Sequence, residues 1–323
     1  MADNDERKFE FFLNLPAKNR QMVVDEMDHA DRCRFTRCSK LCRTEATISK
    51  NFIYKLKIEV FSRDDIKITV MYGNHSSTNG FCLAFTRRFK EYKVYCDLNN
   101  QELWADELFG SRDLFQCAIK EFKNRLHQCQ NVVRKLCIVE HASTWDPKFL
   151  TDVNFGIESL DNLEQLAILA EIEVAQIFPK LQRPLKTLFF ASTQFNKDIV
   201  NWPQLYLVQN TIILWSTYLE NDQFSRLSAE NVTMPVGRLS EYHILRFIRS
   251  WQNGSIGRKI GSYRWNMANS NFNMEKLARL LRVRPQDTRI DDSDQIEIKH
   301  FHKLGKYALL SHSHDELQFS TGI

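Results

Sequence analysis

The stretch SLDNLEQLAI, residues 159–168, decides how the second half of the chain folds. Its apolar residues recur at intervals of three, three and two positions, at Leu160, Leu163, Leu166 and Ile168. A shorter version of the same pattern follows in RPLKTLFFAS, residues 183–192. Further strand candidates are the alternating stretches at residues 210–217, 229–234 and 261–268. The pattern therefore predicts a series of similar units that each contribute one strand.

The spacing of these apolar residues is typical of leucine-rich repeats. The candidate strands follow one another at roughly 20 to 31 residues, which brackets the usual length of such repeats. The repetition is irregular and lacks the Asn or Cys position of those repeats. Two helix candidates, residues 171–181 and 240–252, lie between the strands. We therefore expect an irregular leucine-rich-repeat-like region of strands and helices over residues 132–282.

The preceding segment, residues 51–131, has a different period. Its apolar residues alternate with polar ones or follow one another in four short stretches separated by polar clusters, which predicts a strand meander. The stretches are YKLKIEVF, DIKITVMY, GFCLAFTRRF and EYKVYCDL. The spacing of apolar residues in residues 111–131 predicts an amphipathic helix. Its apolar face is made by Leu114, Phe115, Ala118, Phe122 and Leu126. Alternation returns in residues 283–323 and predicts a C-terminal tail with a hairpin, so the predicted fold class is α+β.

The composition restricts the classes of function. Of the 323 residues, 43% are apolar and 26% are charged, as in a folded globular protein. The formal net charge is only +4, which argues against a dedicated nucleic-acid binder. The opening residues, MADNDERKFE, match neither a secretory signal nor a mitochondrial leader, and no apolar run approaches a membrane span. We expect a cytoplasmic or nuclear protein that is neither secreted nor inserted in a membrane.

The clustered cysteines and histidines are candidate metal ligands. The spacing of Cys33, Cys38 and Cys42 matches no familiar zinc pattern, and positions 38 and 42 share a helix face, as core residues do. The other candidates are two alternating histidine pairs and an acidic loop, formed by His300, His302, His312, His314, Asp291, Asp292 and Asp294. We interpret all of these as packing or surface residues and expect no metal.

No motif in the chain indicates a catalytic reaction. The sequence has no phosphate-binding loop, no dinucleotide-binding glycines, no serine nucleophile elbow and no zinc-protease motif. We therefore predict a binding protein with no catalytic residue and no cofactor. Two basic stretches, residues 257–266 and 279–289, are interpreted as structural, because Tyr263 and Trp265 alternate as they would in a half-buried strand.

The segment LPAKNRQMVVDEMDHADRCRFTRCSKLC, residues 15–42, carries an extended ungapped motif. It contains a Leu-Pro step, an aliphatic pair, two spaced aspartates and a Cys-Ser-Lys element. The matching positions are Leu15, Pro16, Val23, Val24, Met27, Asp28, Asp31, Phe35, Cys38, Ser39 and Lys40. This order resembles the F-box, and we place an F-box of short helices over residues 11–50.

A second resemblance lies at residues 210–255. A strand at Ile212 to Trp215, a short segment at Leu227 to Val232 and a helix at Ile244 to Gly254, with Trp251 near its end, resemble the type 2 F-box-associated domain of nematode F-box proteins. That domain would occupy about residues 205–270. The two resemblances together cover roughly 85 residues.

These resemblances imply the substrate-recognition subunit of an SCF-type cullin ubiquitin ligase. The F-box would bind the Skp adaptor, and through it the cullin, and the C-terminal region would bind an unknown protein target. The implied adaptor-binding residues are Leu15, Pro16, Val23, Val24, Met27, Phe35, Cys38 and Lys40. For the target, the candidates are Trp215, Tyr263 and Trp265, which are equally suited to a core. The alternative is a leucine-rich-repeat-like interaction scaffold whose degenerate F-box does not bind the adaptor.

Overall fold

The structure is a computed structural model and divides into two compact units, Met1–Arg134 and Lys135–Ile323. It describes residues 12, 14–27, 35, 38, 42, 53–72, 80–88, 91–98, 101–107, 113–129, 132–141, 148–192, 196–215, 219, 223–224, 226–235, 240–255, 260–266, 272–282, 288–290, 294–299, 307–313 and 316–321. The protein is of mixed α/β class, with strands forming most of the regular structure and a few helices packed on them.

The first helix, α1 (Ala17–Glu26), begins directly after Pro16. Proline suits the start of a helix because the first N–H groups of a helix have no partner within it. Met27 ends the helix by adopting an extended conformation, with φ −63° and ψ 137°. Of the short helices predicted in residues 11–50, α1 is the one that the structure describes over its whole length.

The first unit contains an antiparallel strand meander. Each strand pairs with the next, in the order β1 (Ile53–Ser62), β2 (Asp65–Tyr72), β3 (Gly80–Arg88), β4 (Glu91–Leu98) and β5 (Gln101–Glu107). The alternating pattern predicts β1 to β4, and these strands are confirmed. The prediction omits β5, because its sequence, QELWADE, is mostly polar and does not stand out as a strand.

The core of the first unit lies between the meander and the helix α2 (Leu114–Cys129). The buried partners in β1 and β2 are Leu56 and Val70, Ile58 and Ile68, and Val60 and Ile66. The helix packs on β1, β2 and β3, and its predicted apolar face is confirmed, since Leu114, Phe115, Ala118, Phe122 and Leu126 are all buried. Burial of each of the leucine and phenylalanine side chains contributes ~1.5–3 kcal/mol.

The second unit is built on a row of parallel strands. These are β6 (Lys135–Glu140), β7 (Gln165–Leu169), β8 (Thr187–Phe190), β9 (Thr211–Leu214), β10 (Asn231–Pro235) and β11 (Ser262–Asn266), each paired in parallel with the next. All the strand candidates named from the sequence between residues 159 and 268 form part of this row. An additional bridge joins Leu160 to Leu181.

The recurring apolar residues form two continuous buried rows on the inner face of this sheet. One row consists of Leu136, Leu166, Leu188, Ile212, Val232, Tyr263 and Phe319, and the other of Ile138, Ile168, Phe190, Leu214, Met234, Trp265 and Leu317. Each unit of the repeating pattern therefore contributes one residue to each row. This alignment explains why the apolar spacing returns along the sequence.

Antiparallel strands follow the parallel row. They are β12 (Thr288–Ile290), β13 (Asp294–Lys299), β14 (Tyr307–Ser313) and β15 (Glu316–Thr321), and β15 pairs antiparallel with β11. The strand order in this unit is β12-β13-β14-β15-β11-β10-β9-β8-β7-β6. The predicted hairpin is present as β14 and β15.

The described residues between the parallel strands include short turns and helices. The helix predicted at 171–181 is wrong: this stretch forms two 3-10 turns, Val174–Gln176 and Phe178–Lys180. Pro179 lacks the N–H that a continuous helix would need, and its ring disfavours helical geometry in the residue before it. Single helical turns follow at α3 (Asn196–Ile199) and α4 (Pro203–Tyr206).

Two longer helices occur late in the chain. The predicted helix at residues 240–252 is confirmed as α5 (Glu241–Gln252), whose buried side chains face the sheet. The second is α6 (Met274–Leu281), which begins at Asn273, where the side-chain Oδ1 accepts the Lys276 N–H at 2.8 Å. None of the helices in the described ranges combines the length and apolar character required to cross a membrane.

Candidate functional site

The exposed side of α1 carries two large apolar side chains, Met22 and Val23, beside the polar residues Lys18, Asn19 and Glu26. Met22 is 60% exposed and Val23 is 41% exposed, whereas the next residue, Val24, is fully buried. Consecutive helical residues differ by about 100° in direction, so a one-residue step moves a side chain from the solvent side to the packed side. The helix therefore presents two apolar side chains to solvent while a third fixes it in place.

Val24 packs into a small cluster built from the N-terminal segment itself. Its buried members are Val24, Phe35 and Cys42, and Phe12 and Met27 pack against them. The rings of Phe12 and Phe35 meet edge to face, with centroids 5.0 Å apart. All these residues come from one short stretch of the chain, so local contacts hold the apolar surface of α1 in position.

The turn before α1 is closed by two hydrogen bonds. The Arg20 side-chain Nη1 donates to the Leu15 carbonyl at 2.8 Å, and the Leu15 N–H donates to the Phe12 carbonyl at 3.1 Å. Leu15 is half-buried as a result, and Pro16 is left exposed. Nothing in the sequence indicates this role of Arg20, because its partner is a backbone carbonyl.

The candidate adaptor-binding residues that the structure describes fall into three groups by exposure. Pro16, Val23 and Cys38 are exposed, Leu15 and Met27 are half-buried, and Val24 and Phe35 are buried. The exposed residues have surface available to a partner, whereas Val24 and Phe35 support the surface from beneath. Lys40 lies outside the described residues, as do Cys33, His300, His302 and His314.

The outward face of the parallel sheet carries bands of different chemistry. Near the start of each strand is a row of hydroxyl and amide side chains, formed by Gln165, Thr187, Thr211, Asn231, Ser262 and Ser320. The next row along the strands begins apolar and ends polar, with Ala167, Phe189, Ile213, Thr233, Arg264 and Gln318. Most of these side chains are half-buried, so the face retains accessible surface.

Trp215 stands at the end of β9, beside the apolar part of this face. Its backbone N–H donates to the Phe190 carbonyl at 3.0 Å, which fixes its position, and the side chain is 62% exposed. A large exposed aromatic next to half-buried Phe189 and Ile213 provides contact area for a protein partner. We refer to Phe189, Ile213 and Trp215 as the outward apolar patch.

Tyr263 and Trp265 do not belong to such a surface, and their assignment as target-binding residues is wrong. Both side chains point to the inner face and are buried under α5, where the Tyr263 and Phe247 rings stack with centroids 5.1 Å apart. The Tyr263 hydroxyl donates to the Ala229 carbonyl at 3.1 Å, and burial raises the pKa of that hydroxyl. Successive residues of β11 point to opposite faces of the sheet, and the sequence alone does not show which of the two alternating sets faces inward.

Polar side chains that are buried (Glu171, Ser192) or half-buried (Glu140) lie at the carboxyl ends of three neighbouring strands, β6, β7 and β8. The Glu171 carboxylate accepts the Ser192 hydroxyl at 2.6 Å, and the Glu140 carboxylate accepts the Phe149 N–H at 2.5 Å. Burial raises the pKa of Glu140. The backbone N–H groups of Phe149, Glu171 and Leu150 and the charge of Lys148 lower it by less, so the net shift is upward. Nowhere in the described part of the chain do three or more His, Cys, Asp or Glu side chains converge as metal ligands.

Comparison of the chain with protein-family models, with curated proteins and with solved structures found no match.

Proposed function

We propose that this protein is the substrate receptor of an SCF-type cullin ubiquitin ligase. In this proposal the N-terminal segment is an F-box that binds the Skp adaptor, and the second unit is a leucine-rich-repeat-like region, including a type 2 F-box-associated domain, that binds a protein target. The protein itself makes and breaks no bond. It raises the effective concentration of a target lysine near the ubiquitin-charged enzyme and orients that lysine.

The observation that carries the proposal is the exposure of Met22 and Val23 on a helix that its own small cluster holds in place. Solvent exposure of these side chains forgoes about 2 kcal/mol of burial free energy, which a partner would recover. The F-box resemblance covers the same residues. An adaptor that covered Pro16, Met22, Val23 and Cys38 would bury an apolar surface of the kind found in stable interfaces.

The target surface that we propose is the outward face of the parallel strands, centred on the outward apolar patch. Exposed Trp215 and half-buried Phe189 and Ile213 supply apolar contact area. The neighbouring row of hydroxyl and amide side chains supplies hydrogen-bonding groups. An aromatic centre with a polar surround is the usual composition of a protein-binding surface.

Binding to the adaptor is tested with purified proteins. Immobilised Skp adaptor is incubated with the intact chain, with the variant Met22→Glu/Val23→Glu, and with the control variant Leu207→Glu/Tyr307→Glu. The control also replaces two exposed apolar residues by glutamate, but in the second unit. Circular dichroism establishes that both variants fold, which we expect because all the replaced side chains are exposed.

We expect the intact chain and the control variant to be retained and the α1 variant to be lost. Equal loss of both variants would mean that retention reflects nonspecific apolar adsorption. Absence of binding by the intact chain would overturn the receptor function. It would favour the alternative, a leucine-rich-repeat-like scaffold whose degenerate F-box does not engage the adaptor.

A further inference from the structure

Helices α5 and α6 carry an excess of positive charge. Residues 241–252 and 274–282 contain five basic side chains, Arg246, Arg249, Lys276, Arg279 and Arg282, and two acidic ones, Glu241 and Glu275. Their difference is +3, in a chain whose whole formal charge is +4. The two helices and the residue that follows α6 therefore carry a local excess of positive charge.

The exposed members of this group form one continuous track across both helices. Arg246 lies one turn from Tyr242 on α5, and the Lys276 ammonium is 5.4 Å from the centroid of the Tyr242 ring. Arg279 follows Lys276 by three residues and is its neighbour on the surface of α6. Arg282 lies directly after the end of the helix, where its backbone is left-handed with φ 57°. We call Arg246, Tyr242, Lys276, Arg279 and Arg282 the basic track; all five are exposed.

The acidic residues beside the track neutralise little of it. Glu241 is buried and is committed to Lys276, with its Oε2 atom 3.1 Å from the Lys276 Nζ. Glu275 faces Arg279 at 3.8 Å, but both side chains are strongly exposed, and such pairs are weak and readily exchanged. Arg246 and Arg282 make no ion pair with any of the residues that the structure describes. Within the described ranges, no carboxylate therefore neutralises the guanidinium groups of Arg246 and Arg282.

From this arrangement we infer that the basic track binds an acidic segment of a partner protein. Guanidinium groups donate paired hydrogen bonds to carboxylates, and the local positive charge favours a negative ligand. Single-stranded nucleic acid is held by several stacking aromatic rings, whereas the track has one exposed ring, which Lys276 already contacts. The inference does not rest on adaptor binding and adds a second binding surface to the outward apolar patch.

The test is a fluorescence anisotropy titration of the full chain, without adaptor, at physiological ionic strength. The first probe is a fluorescein-labelled peptide of alternating glutamate and glycine. The second is a fluorescein-labelled oligothymidylate with the same number of negative charges. The variant is Arg246→Glu/Arg282→Glu. Its matched control is Lys120→Glu/Arg183→Glu, which changes the net charge equally at two exposed residues that do not belong to the track.

We expect the intact chain to bind the glutamate peptide and the track variant to bind it about tenfold more weakly, with less than about a twofold change in the control. Three results would overturn the inference: no saturable binding of the peptide by the intact chain, equal weakening in both variants, or equal or tighter binding of the oligothymidylate. If the charge reversal disturbs folding, Arg246→Gln/Arg282→Gln provides the same comparison and should weaken binding by a smaller factor.

Discussion

Val23 and Val24 are consecutive residues of α1, yet 41% of Val23 is exposed and Val24 is fully buried against Phe35 and Cys42. The same residue type thus has two different roles one position apart. Val24 stabilises the N-terminal segment, and Val23 belongs to the surface that we propose for the adaptor.

Val24→Ala should destabilise the N-terminal segment by about 2 kcal/mol, because it removes buried methyl groups from a small cluster that cannot easily repack. Limited proteolysis followed by mass spectrometry would show faster cleavage within residues 12–42. Val23→Ala is the matched control, and we expect it to leave the cleavage rate unchanged. Equal acceleration by both substitutions would contradict this assignment of the two valines.

Trp265→Ala should destabilise the second unit by about 3–5 kcal/mol, since the indole is fully buried among Phe224, Phe247 and Tyr263. Thermal unfolding followed by circular dichroism would measure the effect. Trp215→Ala provides the comparison: the side chain is exposed, so the unfolding temperature should remain close to that of the intact chain. A large loss of stability in Trp215→Ala would mean that this side chain is part of a core.

The ion pair between Glu241 and Lys276 should make the stability of the second unit depend on pH. Burial alone would raise the pKa of Glu241, but its own backbone N–H, the Lys276 ammonium and the Asn273 N–H outweigh burial and lower the pKa below its usual value. The folded protein therefore holds this proton less tightly than the unfolded chain does. The stabilisation is present above the ordinary pKa of a glutamate and is lost as the pH falls through the lowered value.

Glu241→Gln should accordingly cost about 1–2 kcal/mol at pH 7, since it removes a charge-assisted bond to a lysine that is partly exposed. Urea unfolding at pH 7 and at about pH 3 would test this. The difference from the intact chain should shrink at the lower pH, where Glu241 is increasingly protonated. A difference that is the same at both pH values would show that the carboxylate charge does not stabilise the fold.

Local patterns were sufficient to predict the regular elements that have one buried face. DIKITVMY coincides with β2, and the apolar positions of α2 are all buried as expected. The recurring leucines also predict the strands of the parallel row, because each inward position must be apolar. In these cases the spacing of apolar residues in the sequence has the same period as burial in the structure.

Contacts between distant residues could not be predicted in this way. Glu241 and Lys276 are 35 positions apart, and nothing in either local sequence indicates the pair. The inward direction of Tyr263 and Trp265 depends on the register of β11 with its neighbours, which alternation alone leaves open. Pro179 was the visible signal against a helix at residues 171–181, and the apolar residues around it obscured that signal.

The antiparallel pairing of β15 with β11 has a consequence for self-association. A row of parallel strands that stopped at β11 would present unpaired N–H and carbonyl groups, which are a template for further strands from other molecules. Pairing with β15 occupies those groups along the whole of β11, from Ser262 to Asn266. β12 lies at the far side of the added strands. It is only three residues long, so it offers few backbone groups that could pair with a strand of another molecule. The short strand β12, and not β11, is therefore the edge of this part of the sheet, which limits the addition of further strands there.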